Sequence, residues 1–238
     1  MNYLCGLKIK KVMAESKNKS TLEDVSGALS KSEQFIEDNK KRLTYIVGFI
    51  VIVVLIYIGY NKLYVAPMEQ EANSQMFFAE AYFEKDSFRL ALEGDGQNLG
   101  FLDIIDEYGS SSAGNLASYY AGICYLQMGD FESAIDYLED FSSNDLLVSS
   151  MAKGATGDAY LELGEEDQAL SNYLAAANDK PNDFTTPIFL LKAGYLYEKK
   201  SDYAMALELY QRIQKEFNKS NEGRKMDKYI ARVKSLMQ

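Results

Sequence analysis

The chain has 238 residues, of which 47% are hydrophobic and 25% are charged, a composition typical of a folded protein. It contains no histidine, which excludes the commonest general base and every Ser-His or Cys-His nucleophile pair. The two cysteines, Cys5 and Cys124, are too few for a disulfide framework or a metal-ligand cluster. The net charge of −10 at pH 7 argues against a nucleic-acid partner, which requires a basic surface.

The N-terminal arm, which comprises the first 42 residues, is polar and rich in lysine. Leu22, Val25, Leu29 and Ile36 follow a weak helical spacing, which predicts an interfacial or rigid helix leading into the next segment. Met13 is a second candidate for the translation start. The expectations for the rest of the chain do not depend on which methionine is used.

The next segment is uniformly apolar. Residues 43–60, LTYIVGFIVIVVLIYIGY, carry no charged side chain. Extended to Tyr64, the segment is about 33 Å long as a helix, enough to cross a hydrocarbon core of about 30 Å. Tyrosines lie towards both of its ends, where amphipathic rings prefer the membrane interface. The sequence therefore predicts a transmembrane helix over residues 43–64.

Three alternatives for this segment are less consistent with the sequence. A buried core helix would seldom be so long and so uniformly apolar. A cleaved signal peptide would not begin after about forty residues, and it would be followed by a cleavage site of small residues. A lipoprotein modified at Cys5 would have an apolar stretch before that cysteine. We therefore expect an uncleaved anchor.

The charges that flank the apolar segment predict its orientation. Lys31, Lys40, Lys41 and Arg42 precede it, whereas only Lys62 follows it closely. The positive-inside rule then places the N-terminus in the cytoplasm and the remainder of the chain on the far side of the membrane. In a Gram-negative cell, we therefore expect a single-pass protein of the inner membrane, with its large domain in the periplasm.

A repeat occupies most of the remaining chain. The segment AGICYLQMGDFESAIDYLEDF (121–141) aligns with TGDAYLELGEEDQALSNYLAA (156–176) and again with AGYLYEKKSDYAMALELYQRI (193–213). Repetition at a spacing near 34 residues is typical of an α-solenoid built from helical hairpins. The matching positions, which we predict to pack the two helices of each hairpin, are Gly122, Tyr125, Ala134, Gly157, Tyr160, Ala169, Gly194, Tyr197 and Ala206.

The middle of each unit predicts a turn between two helices. Gly129 and Gly164 are placed to end the first helix, and Asp130 and Asp202 to cap the second. The third unit has Ser201 in place of the turn glycine. We expect the first glycine and the later alanine of each unit to be small because the two helices cross there, so that larger side chains would not fit.

These residues resemble the tetratricopeptide repeat (TPR). The order Gly-x-x-Tyr, Gly, Ala and then an aromatic residue or leucine is shared by three units at about 115–149, 150–184 and 187–217. The resemblance implies an all-α solenoid. The sequence departs from the TPR pattern at Ser201, and only one unit keeps a closing proline, Pro181.

Residues 69–109 are predicted to form a degenerate first repeat with two helices, 69–86 and 99–109. The connection between these helices is longer than a standard turn by about eight residues. Phe88, Leu90 and Leu92 alternate with other residues in this connection. That alternation predicts a strand-like, extended excursion over residues 87–98.

Signals for helix starts and helix packing complete the C-terminal part of the chain. Thr186 as N-cap and Pro187 in the first turn predict the start of a helix. A solenoid end needs a cap, because the last repeat otherwise exposes a face that internal repeats bury. We predict a capping helix over residues 220–237, with an apolar stripe of Met226, Tyr229, Ile230, Val233 and Met237.

The TPR resemblance also implies a curved binding surface lined by the first helix of each unit. Its candidate residues could instead pack against a neighbouring repeat or the C-terminal helix. The candidates carried over by alignment are Leu116, Tyr119, Ile123 and Gln127 in the first full unit, Met151, Asp158 and Glu162 in the second, and Ile188, Tyr195 and Lys199 in the third.

Charge is unevenly distributed along the solenoid. Residues 61–180 contain five basic and 22 acidic residues, whereas residues 181–238 contain eleven basic and seven acidic residues. One interpretation is a solvated acidic face that maintains solubility. The other is an acidic surface that steers basic partners, with a basic tail that contacts a different neighbour.

No motif in the sequence predicts catalysis, a metal site or a cofactor. Cys124 lies within a repeat helix, where it is expected to be a small packing residue rather than a redox thiol. Glu165 and Glu166 form a carboxylate pair in a turn, without a partner for acid–base chemistry. The stretch from Gly94 to Gly96 is too short for a phosphate-binding loop and lacks the following lysine. We therefore predict that the protein is not an enzyme.

A short cytoplasmic arm, one span and an exported TPR domain together resemble the ancillary SecYEG translocon subunit (YfgM-like) family. The resemblance implies a non-enzymatic scaffold in the periplasm, held beside the translocon. Its implied partners are translocon subunits, extended polypeptide substrates as they emerge, and a membrane-anchored chaperone such as a PpiD-like peptidyl-prolyl isomerase. The alternative is a structural or assembly protein that self-associates, as a homo-oligomer, or bridges other envelope complexes.

Overall fold

The computed structural model describes residues 37–238. In this range the chain forms α-helices, a π-helical segment and a 3₁₀ turn, with no β-strand. The predicted all-α solenoid class is therefore confirmed. The helix predicted to lead into the span falls largely outside the described residues. The helices are α1 (Lys40–Tyr60), α2 (Ala66–Phe83), α3 (Phe88–Glu93), α4 (Phe101–Tyr108), α5 (Ser112–Met128), α6 (Phe131–Asp140), α7 (Leu146–Glu162), α8 (Glu166–Asn178), α9 (Thr186–Lys199), α10 (Tyr203–Glu216) and α11 (Met226–Leu236); the π-helical segment is Asn61–Val65 and the 3₁₀ turn is Gly223–Lys225.

The apolar segment forms α1, and none of its side chains is buried. In the described part of the chain, one helical stretch, Lys40–Phe83, is long and apolar enough to cross a membrane. The rings of Tyr60 and Tyr64 stack near the end of the apolar stretch, with their centroids 5.4 Å apart. Exposed aliphatic side chains cover every face of α1, which makes this helix a candidate membrane span.

Successive helical hairpins of the large domain turn through the same backbone conformation. Gly129 and Gly164 adopt the left-handed region, with φ of 81° and 80°. The amide that follows Gly129, that of Asp130, donates to the carbonyl of Tyr125 at 3.0 Å. The same six-residue closure occurs after Gly164, where the amide of Glu165 donates to Tyr160 at 2.8 Å. These turns end the first helix of each hairpin as the Schellman motif does.

Two non-glycine residues adopt this left-handed turn conformation. Ser201, which the sequence places at the turn glycine of the third unit, has φ of 61°. Asp86 has φ of 56°, and the next amide donates to the carbonyl of Tyr82 at 3.0 Å. Asp86 is therefore the turn residue of the degenerate first repeat, and Tyr82 is its equivalent of Tyr125.

Glycines at the helix crossings lie where a side chain would not fit. A Cβ on Gly122 would approach Leu138 Cγ to 2.5 Å, and a Cβ on Gly194 would approach Tyr210 Cε1 to 2.4 Å. A Cβ on Gly157 would approach the ring of Tyr173, the residue equivalent to Tyr210, to 2.8 Å. The alanines of the second helices are fully buried against these glycines; they are Ala134, Ala169 and Ala206.

The strand-like excursion predicted after Lys85 is wrong, because residues Phe88–Glu93 form the helix α3. From the turn at Asp86, α3 occupies the place of a second repeat helix, and Ala91 is fully buried at the position of Ala134. A loop over residues 94–100 then interrupts the helix, which resumes as α4. The second helix of the first repeat is thus split by an insertion.

The carboxylate of Asp95 organises this insertion. It accepts hydrogen bonds from the Tyr82 hydroxyl at 2.7 Å and from the amides of Gln97 at 2.8 Å and Asn98 at 2.7 Å. These bonds, that of Tyr82 first, hold the pKa of Asp95 well below its usual range. The loop is therefore closed on itself and tied to α2.

The predicted N-cap at Thr186 is wrong by one residue. Helix α9 begins at Thr186, and its N-cap is Thr185, which makes no side-chain capping bond. The Thr186 hydroxyl instead accepts from the amide of Asn182 at 2.9 Å and donates to the carbonyl of Ala177 at 3.3 Å. The threonine therefore fastens the preceding loop to the end of α8.

The predicted C-terminal stripe is partly wrong. Met226, Ile230 and Val233 are buried on the inner face of α11, and Tyr229 is partly buried. Met237 is 51% exposed because α11 ends at Leu236 and the next residue leaves the helix. The capping helix is thus shorter than predicted, with its first residues in the 3₁₀ turn.

Candidate protein-binding surface

The candidate binding residues lie on α5, α7 and α9, the first helices of three successive hairpins. Half of them are exposed and half are partly buried. The exposed residues are Gln127, Met151, Glu162, Tyr195 and Lys199. The partly buried residues are Leu116, Tyr119, Ile123, Asp158 and Ile188.

The structure brings three of the candidates together in one cleft of about 570 Å³ between the C-terminal parts of α5 and α7. These are Gln127, Asp158 and Glu162. The cleft combines an acidic rim with apolar walls, a lining that suits side chains of an extended polypeptide. The remaining residues that line it are Leu126, Met128, Gly129, Phe131, Leu161 and Lys192.

Asp158 is engaged in contacts within the protein. Lys192 of the following hairpin donates to its two carboxylate oxygens at 2.5 Å and 2.7 Å, and the Tyr173 hydroxyl donates to it at 2.6 Å. The Lys192 ammonium also lies 5.4 Å from the centroid of the Tyr173 ring. Burial and then the bond to Asp158 raise the pKa of Tyr173. Asp158 therefore joins two repeats as well as lining the cleft.

Tyr195 takes part in a second polar group at the C-terminal end. Its hydroxyl donates to that of Tyr229 at 2.7 Å, and the Arg232 guanidinium lies 5.0 Å from the Tyr229 ring. Arg232 and Tyr210 both donate to the same oxygen of Glu198 at 2.6 Å. Burial and then the bond to Tyr229 raise the pKa of Tyr195 to about 12. Its ring remains 40% exposed and able to contact a partner.

The partly buried apolar candidates pack mainly within the protein. Tyr119 and Ile123 pack against the cluster of Leu138, Ala152 and Ala155, which joins the second and third hairpins. Leu116 packs against the first-repeat cluster, and Ile188 against the large C-terminal one. These candidates contribute their remaining exposed edges to the surface. Lys199, an exposed candidate, is paired with Glu166 at 2.7 Å.

Sequence reasoning missed two exposed apolar residues on the same surface. Leu147 and Phe184 are 37 residues apart, the same spacing as Met151 and Ile188, so they occupy equivalent places in successive units. Leu147 is 41% exposed and Phe184 is 67% exposed. Leu147 precedes Met151 by one turn of α7, whereas Phe184 lies in the turn that leads into α9. The repeat offset was the signal that could have found them.

Another cleft, of about 380 Å³, lies between α6 and α7 and contains none of the candidate residues. Leu138 and Ala152 form its floor, and Lys153 and Asn172 lie at its polar margin. Lys153 forms an ion pair with Asp179 there. This cleft is lined by the second helices α6 and α8 and by residues of α7 other than the binding candidates.

The described residues also contain little reactive chemistry. In residues 37–238, no group of three or more His, Cys, Asp or Glu side chains could hold a metal ion. Cys124 is fully buried in α5, and desolvation raises the pKa of its thiol to about 12. The thiol is therefore protonated at neutral pH, which makes it a poor nucleophile.

Comparison with known proteins agrees with this geometry. The tetratricopeptide repeat family model matches residues 116–145 and 189–220, which cover most of the α5–α6 and α9–α10 hairpins. The crystal structure of nearly identical TPR-like repeats from a Podosopora anserina protein described as a kinesin light chain is similar, with a TM-score of 0.53 and 12% identity over 71% of this chain and 87% of that chain. No curated protein matches the sequence. The chain therefore contains tetratricopeptide-type repeats.

Proposed function

We propose that this protein is a non-enzymatic, membrane-anchored scaffold that binds segments of other proteins along α5, α7 and α9. The observation that carries the proposal is the exposure of four apolar side chains on successive repeats: Leu147 and Met151 on α7, Phe184 in the turn before α9, and Tyr195 on α9. A TPR fold supports a role in protein–protein interaction. Exposed apolar side chains at repeat spacing fit a partner that lies across several repeats.

The charge of the surface indicates the chemistry of the bound segment. Residues 61–180 carry 22 acidic and five basic side chains, and Glu162 lies exposed at the cleft. We infer that the preferred segment combines apolar anchors with basic residues, because the acidic surroundings repel an acidic peptide. An extended polypeptide that has not yet folded presents such anchors.

The proposed cellular setting rests on α1 and on the charges that flank it. We place the transmembrane helix at residues 43–64, the arm before it in the cytoplasm, and the domain at 65–238 in the periplasm of a Gram-negative cell. Anchoring near a membrane exit raises the effective concentration of emerging chains, so that weak contacts are sufficient. The resemblance to the ancillary translocon subunit family supports the Sec translocon as the site, with translocon subunits and a membrane-anchored chaperone as partners.

Photo-crosslinking in living cells tests the binding surface. A photoreactive residue at Gln127 or Met151 is expected to capture partner proteins, and isolation in mild detergent should recover translocon subunits and a folding factor. Ser171 and Glu208 are matched controls, since both are exposed on second helices outside the surface. Equal capture from the control positions would contradict the proposed surface. Recovery of other envelope complexes instead would support the alternative assembly role.

Protease treatment of spheroplasts tests the orientation. The domain after residue 65 should be digested without lysis, while a cytoplasmic marker protein remains intact. Digestion requires only that the domain lies outside the inner membrane. Protection of the domain until the membrane is dissolved would place it in the cytoplasm and would remove the translocon exit from the proposal.

A further inference from the structure

The N-terminal end of the solenoid exposes a face that later repeats bury. The position five residues before the turn tyrosine is Phe77 in the first repeat, then Tyr120, Ala155 and Lys192. Tyr120 stacks on Phe101 of the preceding hairpin, and Ala155 is buried. Lys192 forms an ion pair with Asp158 of the preceding hairpin. Phe77 occupies the same position at the first hairpin of the described residues, and it is 65% exposed.

The adjacent position shows the same contrast. Ala121, Thr156 and Ala193 are buried between repeats, whereas their equivalent Phe78 is 43% exposed. The rings of Phe77 and Phe78 contact each other edge to face, with centroids 5.3 Å apart. The stripe itself is uncharged, and the exposed carboxylates of Glu71 and Glu84 lie at its edges. We call this stripe the α2 outer face; it consists of Gln70, Ser74, Phe77, Phe78 and Ala81.

The C-terminal end of the solenoid is covered by the helix α11. The inner face of α11 is buried against α10, and its opposite side presents lysines beside small and apolar residues. Leu236, at the end of the helix, is 50% exposed. We call this side the α11 outer face; it consists of Lys228, Ala231, Lys234, Ser235 and Leu236, all exposed.

The charges around the two end faces are opposite. Residues 66–86, which form α2 and the turn after it, contain five acidic side chains and one basic side chain. Residues 218–238, which surround the α11 outer face, contain six basic and two acidic side chains. A second copy of the chain therefore carries the charge that the N-terminal end attracts, together with apolar groups for the two phenylalanines. Two α2 outer faces would instead bring acidic surroundings together.

We propose that copies of this protein associate head to tail, with the α2 outer face of one copy bound to the α11 outer face of the next. Such an interface is heterologous, so each copy retains one unused face and the assembly can grow beyond two copies. The interaction is independent of the groove along α5, α7 and α9, and a bound segment and a neighbouring copy can be held at once.

Two full-length variants test the two faces separately. The double substitution Phe77→Ser with Phe78→Ser disrupts the α2 outer face, and Lys228→Glu with Lys234→Glu disrupts the α11 outer face. Analytical ultracentrifugation of the detergent-solubilised chain should show self-association that weakens on the order of tenfold in either variant. Phe184→Ser is the control, because that phenylalanine is equally exposed but belongs to neither face. Far-UV circular dichroism confirms that each variant is folded.

Mixing the two variants distinguishes this geometry from a symmetric dimer. Each variant keeps the face that the other lacks, so the mixture should form pairs of one copy of each, with no larger species. Association of the wild type should also weaken as salt is raised from about 50 to about 500 mM, since the faces carry opposite charge. A monomeric wild type, or a mixture that fails to pair, would overturn the proposal. Loss of self-association in the control variant would overturn it as well.

Discussion

The junctions between repeats are built differently at the two ends of the solenoid. Between the first and second hairpins, Tyr120 stacks on Phe101 with centroids 5.0 Å apart and an interplanar angle of 4°. Between the third and fourth hairpins, the equivalent position holds Lys192, which bridges to Asp158 and lies over the ring of Tyr173. The same position of the repeat therefore joins neighbouring hairpins through an aromatic stack at one junction and through an ion pair over a ring at the other.

The comparison shows which features the fold requires. The second and third hairpins keep the same left-handed turn, at Gly129 and Gly164. They also keep a glycine where their two helices cross, at Gly122 and Gly157. The bulky residue opposite that glycine is Leu138 in one hairpin and Tyr173 in the next. Only the tyrosine can extend a hydroxyl to the carboxylate that binds the next repeat. Repeat geometry thus depends on the small residues, and the junction chemistry is free to vary.

The largest effect should come from removing the aromatic junction. Phe101→Ala deletes a fully buried ring that contacts both Phe83 and Tyr120. We expect the free energy of unfolding to fall by about 3–5 kcal/mol, measured by urea denaturation of the purified chain in detergent. Phe184→Ala, which removes an exposed ring, should change stability by less than about 0.5 kcal/mol. A small effect at Phe101 would mean that the split first repeat is not integral to the solenoid.

Overpacking the helix crossings should cost less and should differ between hairpins. Gly194→Leu meets the Tyr210 ring, which is held by its hydroxyl bond to Glu198. Gly122→Leu meets Cγ and Cδ2 of Leu138, an aliphatic side chain that no hydrogen bond holds in place. Both should destabilise by about 1–3 kcal/mol, with Gly194 at the upper end. Ala204→Leu, on an exposed position of α10, is the control for added volume. A neutral result at both glycines would contradict the crossing geometry.

Breaking the ion pair should have a modest, salt-dependent effect. Lys192→Met retains the apolar stem over Tyr173 but leaves Asp158 without its cation. Because the pair is partly exposed, we expect a loss of about 0.5–1 kcal/mol at low salt that shrinks at high salt. Tyr120→Phe, at the equivalent position of the aromatic junction, should show no such dependence on salt. Equal salt sensitivity in the two variants would remove the distinction between the junctions.

The smallest expected effect is a gain. Ser201→Gly replaces a non-glycine residue with φ of 61° by the residue that the other turns use. Relief of that conformation should stabilise the chain by about 0.5–1 kcal/mol in thermal or urea unfolding. Ser171→Gly, within α8, should instead destabilise by about 0.5 kcal/mol. A loss of stability at Ser201 would mean that its side chain contributes more than its backbone conformation costs.

Much of the repeat architecture could be predicted because it depends on small residues and turns, which recur at constant spacing. The same spacing identified the left-handed turns at Gly129 and Gly164. The equivalent turn at Asp86 was missed because an aspartate does not signal a positive φ, although its neighbour Tyr82 carries the repeat tyrosine. Asn and Asp adopt this conformation more readily than most residues, and that preference was the available clue.

Other features depend on contacts that no local pattern contains. Phe88 and Leu92 alternate as in a strand, yet the burial of Ala91 against the preceding helix makes the segment helical. Thr186 has the chemistry of an N-cap, but its hydroxyl is taken by the preceding loop. In the candidate surface, Asp158 is used in part to join two repeats, which depends on a lysine 34 residues later. Tertiary contacts therefore determine the conformation or the role of each of these residues.

The buried thiol of Cys124 makes the protein a reporter of its own breathing motions. A protonated sulfur enclosed by α5 and its neighbours is sheltered from disulfide exchange and from oxidants. It becomes reactive only when the helix packing around it separates. In a Cys5→Ser variant, the rate at which a maleimide labels Cys124 therefore measures how often the second hairpin opens, and occupancy of the adjacent surface should slow that labelling.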